Sequence, residues 1–192
     1  MRTVSTPIQV YEVDDDIVLR TAEATDAVAV AEYYRVNREH LEPWEPKRGE
    51  GFYSVQSWTQ KLVKLQEIHR LGIGYYLLII ERQTGTMLGM ISFSQVVRFP
   101  SHSCQLGYSL SQQAQGRGVM QRALRMAVDY MFRVQNMHRI CAGYMPRNQR
   151  SEAVLHALGF EYEGLAKQYL SINGRWEDHH MMALLNPHWR ES

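Results

Sequence analysis

Three groups of residues in this chain combine type and spacing in ways that could do chemistry. The first is Gln113-Ala-Gln115-Gly116-Arg117-Gly118-Val119-Met120, between a strand-like run at 104–110 and a helical pattern. That pattern places apolar residues at Val119, Met120, Ala123, Leu124, Ala127, Val128, Met131 and Val134. A strand, a glycine turn and a helix start can hold a diphosphate. Free N–H groups point outward, the macrodipole favours negative charge, and glycine lets the backbone approach the oxygens. The backbone amides of Gln115, Gly116, Arg117, Gly118, Val119 and Met120 are the candidate ligands, with Arg117, Arg122 and Arg125 adding positive charge. A Walker loop is excluded because no Gly-Lys-Ser/Thr follows the glycines. A dinucleotide fingerprint is excluded because Gln121 stands where a third glycine is needed.

The second group is Asn148-Gln-Arg-Ser151, leading to Leu158-Gly159-Phe160. Asn is a favoured helix cap, and capping explains Asn148 about as well as a binding role does. The third is Leu41-Glu-Pro-Trp44-Glu45-Pro46, whose prolines stiffen the path around an acid and an indole. Burial beside an aromatic ring would raise the pKa of Glu45 toward the working range of a base, and an exposed loop acid is the equal alternative. His102 is a weaker candidate base. Trp44, Tyr76, Tyr108 and Tyr144 can line an acceptor pocket, although each is also an ordinary core aromatic. Asp178 is a second carboxylate that could attract an ammonium. His179 and His180 invite a metal assignment, but adjacent strand residues face opposite ways and no His-Glu-x-x-His or paired Cys-x-x-Cys spacing occurs. No metal is expected.

The elements that must position these groups alternate between strand and helix patterns. Residues 17–21 read as a first strand and 26–37 as a helix. An extended stretch through Pro43 and Pro46 follows, then a second helix over 54–71 ended by Gly72 and Gly74. Residues 75–81 and 87–93 read as a hairpin across Thr84-Gly85. The expected fourth strand is 103–110, and the fifth, 139–145, stops at Pro146. A short helix over 151–158 and two closing strands, 161–172 and 175–184, flank a strong Asn173-Gly174 turn signal. One α/β domain over 1–192 is expected, a mixed sheet with helices on both faces.

Composition narrows the function. The 192 residues suffice for one core, and Lys+Arg 21 against Asp+Glu 20 gives no basic surface for sequence-specific nucleic-acid binding. Apolar runs are too short for a membrane span, and the N-terminal stretch from Pro7 to Asp16 has no signal-peptide core. The two cysteines, Cys104 and Cys141, read as buried core thiols of a cytoplasmic protein.

Gln113-x-x-Gly116-x-Gly118 resembles the acetyl-CoA pyrophosphate loop of the GNAT superfamily of N-acetyltransferases. Asn148-x-x-Ser151 is similar to the same family's second cofactor motif, where the Asn holds the pantetheine arm. Further segments resemble the RimJ-type ribosomal-protein alanine N-acetyltransferases, from about Leu19 to Trp189. They are 37–46, Leu106-Gly-Tyr108-Ser109, 137–140, 144–148 and Ile172-Asn-Gly-Arg-Trp-Glu-Asp178. The resemblance implies a GNAT fold, mostly antiparallel, with a V-shaped split between the fourth and fifth strands. It implies acetyl-CoA as cosubstrate and the N-terminus of a ribosomal protein as acceptor, in a monomer or weak homodimer. Acetylation of a small amine (aminoglycoside, polyamine or amino acid) and a non-catalytic acyl-CoA-binding module stay open.

The implied chemistry needs a neutral amine, an oxyanion stabiliser and a proton for the leaving thiol. An α-amine with a pKa of roughly 7.8 is roughly a tenth neutral at pH 7, whereas a lysine amine, near 10.4, is almost wholly charged. An α-amine acceptor thus needs less help, which suits a fourth strand without Asp or Glu. Backbone N–H groups around Tyr108, Ser109 and Leu110 are expected to meet the oxyanion. Ser151 is the expected proton donor to sulfur and Glu45 the expected base.

Overall fold

The structure, a computed structural model, describes residues 9–191, so Pro7 and the start of the N-terminal stretch lie outside it. Among the described residues, eight strands form one sheet in the order β1-β2-β3-β4-β5-β6-β8-β7. They are β1 (Tyr11–Asp14), β2 (Ile17–Thr21), β3 (Tyr75–Glu81), β4 (Met87–Val97), β5 (Ser103–Leu110), β6 (Arg139–Tyr144), β7 (Glu161–Ile172) and β8 (Arg175–Leu185). Every neighbouring pair is antiparallel except β5 with β6. The mixed, mostly antiparallel sheet is as expected. Strand β1 carries no legible signal, because Tyr11, Glu12 and Val13 are all exposed and show no apolar alternation. It shifts the count by one, so the expected split between fourth and fifth strands falls between β5 and β6.

Strand periodicity divides the core in two. On β3, Tyr75, Leu77 and Ile79 face one cluster while Tyr76, Leu78 and Ile80 face the other, as a period of two dictates. The first cluster is covered by α4 (Val119–Asp129) and α5 (Gln149–Ala157), the second by α1 (Ala27–Val36) and α3 (Val55–Arg70). Ser54 caps α3, its hydroxyl accepting from Ser57 N–H at 3.2 Å. The closing hairpin turns through Asn173 at φ 45° and Gly174 at φ 80°, both left-handed, as the Asn-Gly signal requires.

One expected segment differs. The chain through Pro43 is not extended: Arg38–Leu41 forms a helical turn (α2) and Glu42–Trp44 a 3-10 turn. Pro43 sits at the start of that turn, where its missing N–H breaks no bond. Extended backbone begins only at Glu45, with φ −121° and ψ 160°. Both thiols are free; Cys104 is buried but Cys141 is only half-buried. Among the described residues no helix is long and apolar enough to cross a membrane.

Candidate active site

Pairing between β5 and β6 runs from Ser103 opposite Arg139 to Leu106 opposite Ala142 and then stops, although both strands continue. The strands part at Gly107 and Gly143. A cavity of about 1020 Å³ opens through this gap, lined from β5, β6, the Gly116 loop, α5, the Trp44–Pro46 segment and the closing hairpin. It therefore reaches both faces of the sheet.

On the α4 face the cavity meets the glycine loop. Gly116 (φ 73°) and Gly118 (φ 69°) are both left-handed, and a Cβ added to either would meet no protein atom within 4 Å. The space above them is a cradle that side chains would fill. Arg122 N–H bonds Gly118 C=O at 3.1 Å, so the N–H groups of Val119, Met120 and Gln121 have no helical partner. These residues fit a diphosphate. The amide of Gln115 does not contribute as expected, since it donates to Gln112 C=O at 3.3 Å within the preceding 3-10 turn. The Gln115 side chain instead spans the cavity: Oε1 accepts from Arg150 Nη1 at 2.7 Å and Nε2 lies 3.1 Å from His40 Nε2.

The expected positive charge is also redistributed. Arg117 pairs with Asp16 at 3.0 Å and Glu81 at 3.1 Å, and Arg122 with Asp16 at 2.7 Å. The hydrogen bond from Arg122 is the largest influence holding Asp16 below the ordinary carboxylate range. These pairs tie the start of α4 to the β1–β2 turn and the end of β3, and neither these two arginines nor exposed Arg125 line the cavity. Arg150 is the arginine beside the loop, missed in the sequence. A basic residue in a helix's first turn, where the dipole disfavours it, was its one signal.

At the split, Tyr108 and Ser151 lie on the α5 face with their hydroxyl oxygens 2.6 Å apart. Burial pushes the Tyr108 hydroxyl up to about 12, and its bond to Ser151 opposes the rise. Asn148 Oδ1 accepts from Ser151 N–H at 3.1 Å, so Asn148 is the helix cap while still lining the cavity. Past Leu106, β5 has no β6 partner, which leaves the edge at Tyr108, Ser109 and Leu110 toward the gap; His40 Nε2 donates to Leu110 C=O at 3.2 Å. Tyr144 lines the same wall, its hydroxyl donating to Glu152 at 3.0 Å.

The opposite face holds Trp44 and Glu45. The Glu45 side chain is 19% exposed, and Arg48 Nε stands 3.9 Å from its carboxylate. Burial pushes the Glu45 carboxyl up, while Arg48 and Lys61 pull it part of the way back. Its backbone closes the slot, because Glu45 C=O accepts from Asn173 N–H of the β7–β8 turn at 2.9 Å. Arg147 braces the same corner through Glu177 at 2.9 Å and Pro43 C=O at 3.2 Å.

Three expected residues are placed elsewhere. Tyr76 is a core residue, 7% exposed, its hydroxyl 3.4 Å from that of Tyr34 beneath α1 and α3. Asp178 faces away from the slot and accepts from Gln168 N–H at 2.8 Å, while its strand neighbours Glu177 and His179 take the slot side. His102 packs on Trp189, with ring centroids 5.1 Å apart, at the far end of β5. Adjacent His179 and His180 do face opposite ways: His180 stacks on Tyr144, and His179 lines the cavity.

Comparison with known proteins gives a consistent picture. A family model described as an acetyltransferase (GNAT) domain matches residues 16–161. The [ribosomal protein uS5]-alanine N-acetyltransferase of Escherichia coli (strain K12) is 44% identical over 175 residues, 91% of this chain and 90% of that protein. The crystal structure of the ribosomal-protein-S5-alanine acetyltransferase from Vibrio fischeri superposes with a TM-score of 0.93 at 42% identity, covering 95% of this chain and all 100% of the other. Mycobacterium smegmatis RimJ in complex with CoA-disulfide gives a TM-score of 0.87 at 31% identity, over 97% and 91% of the two chains.

Proposed function

Because this chain belongs to the GNAT family of acetyltransferases, we propose that it moves an acetyl group from acetyl-CoA to the N-terminal α-amine of a protein. The acceptor proposed is the N-terminal alanine of a small-subunit ribosomal protein, in line with the relatives' named substrate. One observation carries the acceptor class: the Asn173–Glu45 bond joins the hairpin turn to the Trp44–Pro46 segment, making the acceptor side a slot suited to a narrow chain end.

The residues then divide the work by sheet face. Amides from Gly116 to Gln121 hold the diphosphate, and Asn148 and the β5 edge hold the arm so that the thioester lies in the split. Glu45, on the far face, attracts the ammonium and takes a proton from it; its raised pKa makes it a better acceptor than an exposed carboxylate. N–H groups on the Tyr108–Leu110 edge meet the oxyanion. Ser151 gives a proton to the departing sulfur, drawing on the Tyr108 hydroxyl beside it.

Ser151→Ala should lower kcat by about 10²-fold, the low end for a general acid because Tyr108 and water remain in reach. Acetyl-CoA affinity by calorimetry should hardly change. An unaltered kcat with chemistry rate-limiting would reduce Ser151 to a first-turn residue. The acceptor class is tested by comparing an alanine-starting peptide with its N-terminally blocked, lysine-containing twin and with spermidine. The free alanine peptide should turn over fastest; faster turnover of either competitor transfers the assignment to a lysine or small-amine acetyltransferase. Absence of coenzyme A release with every amine would leave only an acyl-CoA-binding module.

A further inference from the structure

Converting an ammonium into an amide removes two protons from nitrogen, one before attack and one from the adduct. Glu45 accounts for the first. The slot wall formed by β8 carries His179, which is 4% exposed and lines the cavity. Its Nδ1 lies 3.0 Å from Glu177 C=O. A carbonyl only accepts, so Nδ1 bears the hydrogen, and the neutral ring keeps an unshared pair on Nε2. Cδ2, bonded to Nε2, lies 3.8 Å from where a Cβ on Gly143 would stand, at the mouth of the split. Met181 Sδ shares that space at 3.4 Å, and the imidazole lies beside Gly143, where β5 and β6 part.

We propose that His179 Nε2 takes the second proton. This rests on the reading of the cavity as an amine-acetylating site. The neutral amine forms the C–N bond to the acetyl carbon, whose carbonyl electrons move to oxygen. The nitrogen of the adduct then carries a positive charge and two hydrogens, and one passes as a proton to Nε2. The oxygen electrons return, the C–S bond breaks with its pair leaving on sulfur, and Ser151 protonates the thiolate. The imidazolium returns its proton to solvent through the open slot. Glu45 and His179 thus serve the amine on one face of the sheet, and Tyr108 and Ser151 serve the sulfur on the other.

Among the described residues, the titratable groups around His179 come from three strands and the Trp44–Pro46 segment. Strand β7 offers Tyr169, its ring centroid 5.6 Å from the imidazole. Its own strand offers Glu177, whose carboxylate is held by Arg147. Glu45 also borders the cavity, and β6 contributes Gly143 and Tyr144, whose hydroxyl donates to Glu152.

The experiment measures kcat/KM for wild type and His179→Gln on the amine that wild type acetylates fastest. The variant should lose about 10²-fold, while acetyl-CoA affinity stays put. A kcat/KM equal to that of wild type, or a matching loss of acetyl-CoA affinity, overturns the role. His179→Ala with imidazole added to the buffer is the second variant: restored turnover supports the proposal and no restoration counts against it. Peptide preference of the wild type decides the acceptor class separately, so failure of one reading is not mistaken for failure of the other.

Discussion

Glu45→Gln should cut kcat/KM for an alanine-starting peptide by about 10²-fold to 10³-fold, while acetyl-CoA binding stays near wild type. Glutamine keeps the shape and the backbone bond from Asn173 to residue 45, but it neither attracts an ammonium nor accepts its proton. The variant should fold as well as wild type. Burial raises the folded-state pKa of Glu45, so the folded protein holds this proton at pH values where the unfolded chain has released it. Its contribution to stability is therefore full below the ordinary carboxylate pKa and is lost as pH rises through the raised one. Glutamine removes that loss. Against it stands the loosened contact with Arg48, a part-buried ion pair at 3.9 Å, beyond hydrogen-bond distance. Peptide kinetics, calorimetry and a thermal melt across pH check the prediction. A variant with wild-type peptide turnover would show that Glu45 is only a wall of the slot.

Gly118→Val should weaken acetyl-CoA binding by at least about 10²-fold, roughly 2.7 kcal/mol. Two effects act together. A β-branched residue at φ 69° costs about 1–2 kcal/mol of backbone strain at the helix start, and relieving it turns the amides of Val119 and Met120 away. The added carbons also project into the open space above the loop, where no protein atom lies within 4 Å. The fold should survive, because buried Val119, Met120, Ala123 and Leu124 and the Arg117 and Arg122 ion pairs anchor the helix independently. Titration calorimetry on the folded variant decides it. Unchanged affinity would mean that the diphosphate does not sit on these amides.

Much of the fold was legible because local rules and tertiary structure agreed. The Asn173-Gly174 turn, the capped helices and the alternation on β3 each follow from backbone conformations or periods that neighbouring residues enforce. Strand β1 was not legible, because it lies at the sheet edge with Tyr11, Glu12 and Val13 exposed, and only pairing with β2 makes it a strand. The helical turn at Arg38–Leu41 was hidden by Pro43, which ends one helix and tolerates the next turn.

By itself the sequence determined the glycine loop at a helix start, the Asn148 cap with Ser151 behind it, and a stiff segment presenting Glu45. These are contiguous motifs, and their geometry is set within a few residues. Long-range pairing settles which side chains share a face and a cavity. It turned Asp178 outward and His179 inward, took Tyr76 into the core, drew Arg117 and Arg122 to Asp16, and set Tyr108 against Ser151 across 43 positions of chain. The reason is register: a strand gives alternate residues to opposite faces, and which set meets the site is fixed by pairing with distant strands, so a shift of one residue would exchange His179 for Asp178.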